Sequence, residues 1–139
     1  MRYGTRAMLE LALRHEQGAT SLNEIAAAQG LPEKYLEALF STLRSAGLIR
    51  GQRGSQGGYM LARSPADITL RDVFDVFEGP EPFVPCTADP SVCERWAGCV
   101  TQEVWAQMYQ ASMHVLASTT LADLVERHTW RSADAAANI

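Results

Sequence analysis

The three cysteines of this chain, Cys86, Cys93 and Cys99, fall within fourteen residues of one another. Thiolates are soft ligands, and three in one short segment can hold an iron–sulfur cluster or another thiophilic metal. The segment from Pro85 to Cys99 shows neither a helical nor a strand period and reads as a loop. Six residues separate the first two cysteines and five the last two. Structural zinc sites usually contain a close C-x-x-C pair, which this spacing lacks, so zinc is the weaker reading. An odd cysteine count does not suit a disulfide framework. A cofactor-free redox switch, through sulfenic acid or a disulfide, stays open as another use of the same thiols.

Other elements must position that loop. Tyr3, Ala7, Met8, Leu11 and Ala12 recur at helical spacing over residues 2–16, and Gly18 stops the helix. Thr20 or Ser21 caps a short alanine-rich helix, Leu22 to Gln29, with Glu24 three after Ser21 as in a capping box. Gly30 breaks that helix and Pro32 suits the first turn of the next. Glu33 to Ala46 then carries an apolar stripe of Tyr35, Leu36, Leu39, Phe40 and Leu43. A short helix, a glycine-containing turn and a second helix form the pattern whose second helix enters the DNA major groove. Leu48-Ile49-Arg50 and Tyr59-Met60-Leu61 are strand-like and flank a run with four glycines in eight residues, a hairpin wing. That run lacks the GxxxxGK[ST] order and no helix follows it directly, which argues against a nucleotide loop.

Thr69 caps a helix over Leu70 to Glu78, ended by Gly79-Pro80-Glu81-Pro82. After the cysteines a long helix runs from Val100 to about Ala117. Val104, Met108, Ala111 and Val115 recur along it at three- and four-residue steps, with Trp105 and Leu116 beside them. Thr120 caps a last helix, Leu121 to Arg127, and Ala133 to Ile139 is expected to be disordered. The expected fold is mainly α with a small β-hairpin wing. It comprises a winged helix-turn-helix domain over residues 1–80 and a cysteine-containing sensor loop over 81–99. A long dimerisation helix and a C-terminal helix follow over 100–130, then a tail over 131–139. The apolar surface of the long helix suits either core within one chain or the seam of a homodimer. Symmetric dimers match palindromic half-sites, so DNA as a partner favours the seam.

The net charge of −4 conceals an asymmetry. Residues 1–63 hold eight Lys/Arg against five Asp/Glu, a balance of +3, and residues 64–139 hold four against eleven, a balance of −7. Between Ala38 and Ala66 there is no acid, yet there are four arginines, Arg44, Arg50, Arg53 and Arg63. Phosphate binding needs local rather than global positive potential.

Leu22-Asn23-Glu24-Ile25-Ala26, Tyr35-Leu36-Glu37, Leu43-Arg44-Ser45-Ala46-Gly47-Leu48-Ile49 and the wing Arg53-Gly54-Ser55-Gln56-Gly57-Gly58-Tyr59-Met60-Leu61-Ala62 carry a resemblance. Together they resemble the Rrf-two family of bacterial winged-helix regulators, which includes IscR-type and NsrR-type repressors. The resemblance runs from Arg2 to about Arg127. It implies a dimer that reads operator DNA with a recognition helix and a wing. It also implies, for many members, an iron–sulfur cluster on cysteines placed where Cys86, Cys93 and Cys99 stand. IscR-type recognition-helix contacts match Lys34, Tyr35 and Glu37, and the wing arginine matches Arg53.

The chemistry of these residues suits those roles. Arg53, beside Gly54 at the tip, can enter a narrow minor groove, where negative potential concentrates. Glu37 can accept from a cytosine N4 amine, and Lys34 can meet a phosphate or a guanine edge. Tyr35 is expected to pack one side in the core and point its hydroxyl at a phosphate. Ser21, Arg44, Arg50, Ser55 and Gln56 are candidate contacts to the DNA backbone, which position without specifying. In the IscR type a histidine stands three residues after the last cysteine, and here that position is Gln102, a poor cluster ligand. The fourth ligand is open among Glu103, Glu10 of the partner subunit, His114, and an exogenous thiol or water. The choice between 2Fe–2S and 4Fe–4S is open with it.

No run of about 18 apolar residues suggests a membrane span, and the N-terminal residues lack a secretory apolar run, so the expected compartment is the cytoplasm. No Ser-His-Asp order, HExxH motif or nucleotide fingerprint marks an enzyme. The reading is a dimeric DNA-binding regulator, a repressor, switched by its cysteine loop.

Overall fold

Three helices begin on reciprocal caps. Ser21 accepts from the Glu24 N–H while Glu24 accepts from the Ser21 N–H, and Thr69 with Asp72 and Thr120 with Asp123 repeat the arrangement. Each box satisfies two backbone donors that a helix start leaves orphaned. The computed structural model describes residues 1–138. Its helices are α1 (Arg2–Leu13), α2 (Leu22–Gln29), α3 (Glu33–Ser45), α4 (Leu70–Glu78), α5 (Val100–Ala117) and α6 (Leu121–Ala137). Strands β1 (Ile49–Gln52) and β2 (Gly58–Leu61) pair antiparallel with Ile49 opposite Leu61 and Gln52 opposite Gly58.

The core sits where α1, α2, α3, the hairpin, α4 and the start of α6 meet. Met8, Ile25, Leu36, Phe40, Leu43, Ile68, Val73 and Leu121 are fully buried there. Gly30 closes α2 in the left-handed region at φ 62°, a conformation that costs a glycine nothing. The hairpin is clamped to the residue before the cap of α2 as well as to itself. Thr20 and Tyr59 exchange backbone hydrogen bonds of 2.9 and 2.8 Å. Gly58 makes this approach possible, because a Cβ there would collide with the Thr20 backbone. Thr20 therefore anchors the wing, and Ser21 is the cap.

A second polar lace joins α1 to the end of α2. Glu10, 8% exposed, accepts from Arg14 Nε at 2.7 Å and from Gln29 Nε2 at 2.9 Å. Arg6 donates to the Gln29 side chain and carbonyl at 2.9 and 2.8 Å. At the other end of the chain, Leu70 donates to Thr119 and Leu121 to Ile68, which ties the end of α5 and the start of α6 to the start of α4.

Two boundaries differ from expectation. The first helix ends at Leu13, and His15–Gln17 forms a separate 3-10 turn. The last helix does not stop at Arg127 but continues to Ala137, so residues 133–137 are helical where an irregular tail was expected. Three alanines sustain its final turn. Ile139, the end of that expected tail, lies outside the described residues. Among the described residues no helix is long and apolar enough to cross a membrane.

Candidate functional site

Helix α3 buries Leu36, Phe40 and Leu43, and this fixes which face remains outside. Lys34, Tyr35, Glu37 and Arg44 lie on the exposed side. Tyr35 is 45% exposed, so its ring is not a core residue as expected. It packs edge-on against Tyr3 of α1, with ring centres 5.8 Å apart. A contact between residues thirty-two positions apart has no signature in local periodicity, which placed Tyr3 only on the inner face of α1.

Arg53, Gly54, Ser55 and Gln56 form the exposed tip of the wing. Arg44 and Arg53 line one hollow of about 420 Å³ with Gln52 and Tyr59, between the end of α3 and the hairpin. Ser21, Ser55 and Gln56 line a neighbouring hollow of about 380 Å³. The expected backbone contacts are thus gathered into two adjoining concavities, with Arg50 on the exposed side of β1 and outside both linings. Among the described residues, Lys34, Arg44, Arg50 and Arg53 form no ion pair, whereas Arg14, Arg63 and Arg71 each face a carboxylate. Unpaired cations beside exposed polar hollows suit a polyanion.

The cysteine loop is built from single 3-10 turns at Pro85–Thr87, Pro90–Val92 and Trp96–Gly98. Cys86 lies in the first, Cys93 follows the second, and Cys99 is the N-cap of α5. All three thiols are free and half-buried. Trp96 Nε1 donates to the Cys86 carbonyl at 3.0 Å, pinning the loop across its width. Cys99 Sγ and Thr101 Oγ1 are 3.1 Å apart. That hydrogen bond, followed by the Gln102 N–H, holds the Cys99 thiol below its ordinary range.

The donor set fits a thiophilic group in its chemistry, since the thiols are free and share one loop. Among the described residues, however, no three His, Cys, Asp or Glu side chains gather closely enough to hold a metal ion. The fourth-ligand candidates also separate. Glu10 is buried and already bonded to Arg14 and Gln29. His114 stands fifteen residues along α5 from Cys99, about 22 Å at the helical rise, which puts it out of reach of that thiol. Glu103 remains exposed on the first turn of α5.

A strap from Gly79 to Pro85, with Pro80, Pro82 and Pro85, links α4 to the loop. Tyr109 of α5 donates to the Pro80 carbonyl at 2.9 Å. Phe83 stands between Phe74 of α4 and Tyr109 of α5, edge-on to both, at 6.5 and 6.3 Å. The inner face of α5 carries Gln102, Ala106, Tyr109, Met113 and Leu116. Its outer face leaves Val100, Val104, Met108 and Val115 at 75, 57, 42 and 60% exposure. The apolar stripe is therefore not core within one chain.

A family model described as "Iron-dependent Transcriptional regulator" (Rrf2) matches residues 1–127. The HTH-type transcriptional regulator CymR of Bacillus subtilis is 44% identical over 123 residues, 88% of this chain and 84% of that protein. The solved structure of CymR (YrzC), the global cysteine regulator of B. subtilis, superposes with a TM-score of 0.79. It is 43% identical and covers 91% of this chain and 92% of that one. T. potens IscR superposes with a TM-score of 0.76 at 41% identity, covering 91% and 83%.

Proposed function

The chain belongs to the Rrf2 family of transcriptional regulators, and from that premise we propose that it binds a palindromic operator as a homodimer whose affinity is set at Cys86, Cys93 and Cys99 by an iron–sulfur cluster. Its family is one of DNA-binding regulators rather than enzymes. In the proposed complex α3 enters the major groove. Lys34 meets a phosphate or guanine edge, Glu37 accepts from cytosine, and the Tyr35 hydroxyl reaches a phosphate. Arg53, with Gly54 beside it, enters the minor groove. Ser21, Arg44, Arg50, Ser55 and Gln56 set the register on the backbone. The outer faces of two α5 helices cover each other, which a two-fold axis makes self-complementary. Repression follows where the operator overlaps a promoter, and the DNA partner places the protein in the cytoplasm.

One observation carries the sensing half of this reading. The thiols occupy the loop between the strap after α4 and the start of α5, and Cys99 stands at the N-cap position of that helix. An iron–sulfur cluster, when bound, supplies a reversible redox couple. Cys86, Cys93 and Cys99 are the residues that would hold it, with Glu103 available on the adjoining turn. Tyr109 and Phe83 fasten the strap to α5, so a change in the loop bears on the helix that spaces two recognition helices. Half-sites lie about 34–36 Å apart, and a shift of a few ångströms costs affinity.

Anaerobic purification, an absorption spectrum and assays of iron and acid-labile sulfide test the cofactor. Visible absorption that bleaches with dithionite, with stoichiometric iron and sulfide, is the expected result. A colourless, iron-free protein after attempted reconstitution would end the cluster reading. A second reading then applies, a cofactor-free thiol switch, favoured by the Thr101-bonded Cys99 thiol and by the separation of the three sulfurs in one chain.

A further inference from the structure

Arg2 stands on the first turn of α1, yet its neighbours belong to the face that reads DNA. Its guanidinium lies 4.9 Å from the centre of the Tyr3 ring and donates to the Tyr3 hydroxyl at 3.1 Å. Tyr3 in turn meets Tyr35 of α3 edge-on, with ring planes at 89°. Arg6 lies 5.9 Å from the same ring, but its donors are bonded to Gln29. Arg2 is exposed and forms no ion pair among the described residues. Stacking on Tyr3 orders its side chain without neutralising its charge. Arg95, Arg127 and Arg131 are unpaired too, on the cysteine loop and α6. The Tyr3–Tyr35 contact with the recognition helix sets Arg2 apart.

We propose that Arg2 is a further DNA contact, a phosphate clamp that extends the footprint of α3 to the edge of the groove, with Tyr3 as its positioning residue. The proposal rests on the reading of α3 as the recognition helix. A major groove is about 12 Å wide, so a cation one ring beyond Tyr35 falls near the phosphate rail rather than over the bases. A guanidinium matches phosphate through two parallel N–H donors. Such a contact positions the protein and carries no sequence information. Arg2 therefore raises affinity for every duplex, while Glu37 and Arg53 decide among them.

The test uses two duplexes, an operator selected from a random pool by the wild-type protein and an unrelated sequence. Binding is followed by fluorescence anisotropy between about 50 and about 200 mM salt for the wild type, Arg2→Ala, Arg2→Lys, Tyr3→Ala and Arg53→Ala. Sedimentation and circular dichroism check assembly and folding. Loss of one phosphate contact lowers the salt slope by about 0.9, so the wild-type advantage over Arg2→Ala narrows roughly three- to fourfold across that range. The same narrowing is expected on the unrelated duplex, Tyr3→Ala shares it, and Arg2→Lys keeps the wild-type slope. An Arg2→Ala slope equal to wild type, with Arg53→Ala weakened, overturns the clamp and leaves the recognition reading intact. If neither variant weakens binding, both fall. If Arg2→Ala dissociates the dimer and keeps the wild-type slope once dimeric, Arg2 belongs to the seam between copies and the clamp is overturned.

Discussion

In the winged-helix half, Phe40, Met8, Ile25, Leu36 and Leu43 are each fully buried, whereas on α5 Met113 is the buried residue and Val100, Val104 and Val115 are more than half exposed. The two regions are similar in apolar content along their helices but differ in what covers it. The reading half closes within one chain, with α2 and α4 starting on capping boxes and the wing clamped by Thr20. The sensing half is open on two counts. Its helix stripe is bare, and its thiols are not gathered. The reading half is preformed, and in the proposed assembly the sensing half is completed by something added, a second copy along α5 and a cofactor or oxidant at the cysteines.

Truncations should expose the contrast most strongly. Phe40→Ala is expected to cost about 3–5 kcal/mol of folding stability by leaving a cavity in a closed core. Val104→Ala should leave the stability of the isolated chain within about 0.5 kcal/mol. Chemical denaturation at concentrations below dimer dissociation checks both, and equal costs would show that α5 is packed within one chain. Next in size, the pair Val104→Asp and Val115→Asp should weaken dimerisation by about 2–4 kcal/mol, as loss of buried interface anchors does. Operator affinity should fall with it, while the circular dichroism of the reading half persists.

Arg53→Ala should cost about 1–3 kcal/mol of operator affinity with the melting temperature unchanged, because the wing tip is exposed and no packing depends on it. A smaller effect tests the strap between the halves. Tyr109→Phe removes the hydrogen bond to Pro80, worth about 0.5–1.5 kcal/mol. Operator affinity in the tighter-binding state should stay as it is, and the ratio between reduced and oxidised states should shrink by up to about tenfold.

The smallest effect is a pH dependence in the reading half. Two hydrogen bonds from Ser21, first its backbone N–H and then its hydroxyl, hold the Glu24 carboxyl below the ordinary carboxylate range. A carboxylate with a depressed folded-state pKa contributes stability above its unfolded value and loses it as pH falls through the folded one. Ser21→Ala should therefore lower the melting temperature by a few degrees at neutral pH, and the difference from wild type should narrow but not vanish as pH falls through the depressed Glu24 range, because the bond from the Glu24 N–H to the Ser21 hydroxyl does not titrate. A difference that stays the same at every pH would mean that the Ser21 hydroxyl contributes through the Glu24 N–H alone and not through the carboxylate.

Local signals in the sequence were enough for what local interactions determine. Ser21 with Glu24 and the threonine caps at Thr69 and Thr120 marked three helix starts, and the span of α5 from Val100 to Ala117 follows from its period and from the loop before it. The wing is legible because glycine at Gly58 and strand-formers such as Tyr59 have distinct backbone preferences. What covers the stripe on α5 was not legible, since a period of 3.6 residues marks an apolar face and not its partner. The extension of α6 to Ala137 has no distinct signal, because an exposed alanine-rich end also resembles a tail in composition. The burial of Glu10 and the Tyr3–Tyr35 contact depend on how α1 lies across α2 and α3, which is decided by tertiary packing. The three cysteines were obvious in number and spacing, but spacing alone does not bring their sulfurs together.

If the cysteine loop sets the grip of the reading half on DNA, operator affinity must change with the state of the thiols. The most direct measurement is operator affinity, by anisotropy on anaerobically purified protein, before and after oxidation and removal of any bound metal. The wild type should change affinity at least about tenfold, near the lower end of typical coupling energies, and a variant with Cys86, Cys93 and Cys99 all replaced by serine should bind with one affinity in both conditions. A wild type that binds equally in both, or a triple variant that still switches, would mean that the thiols do not set DNA affinity.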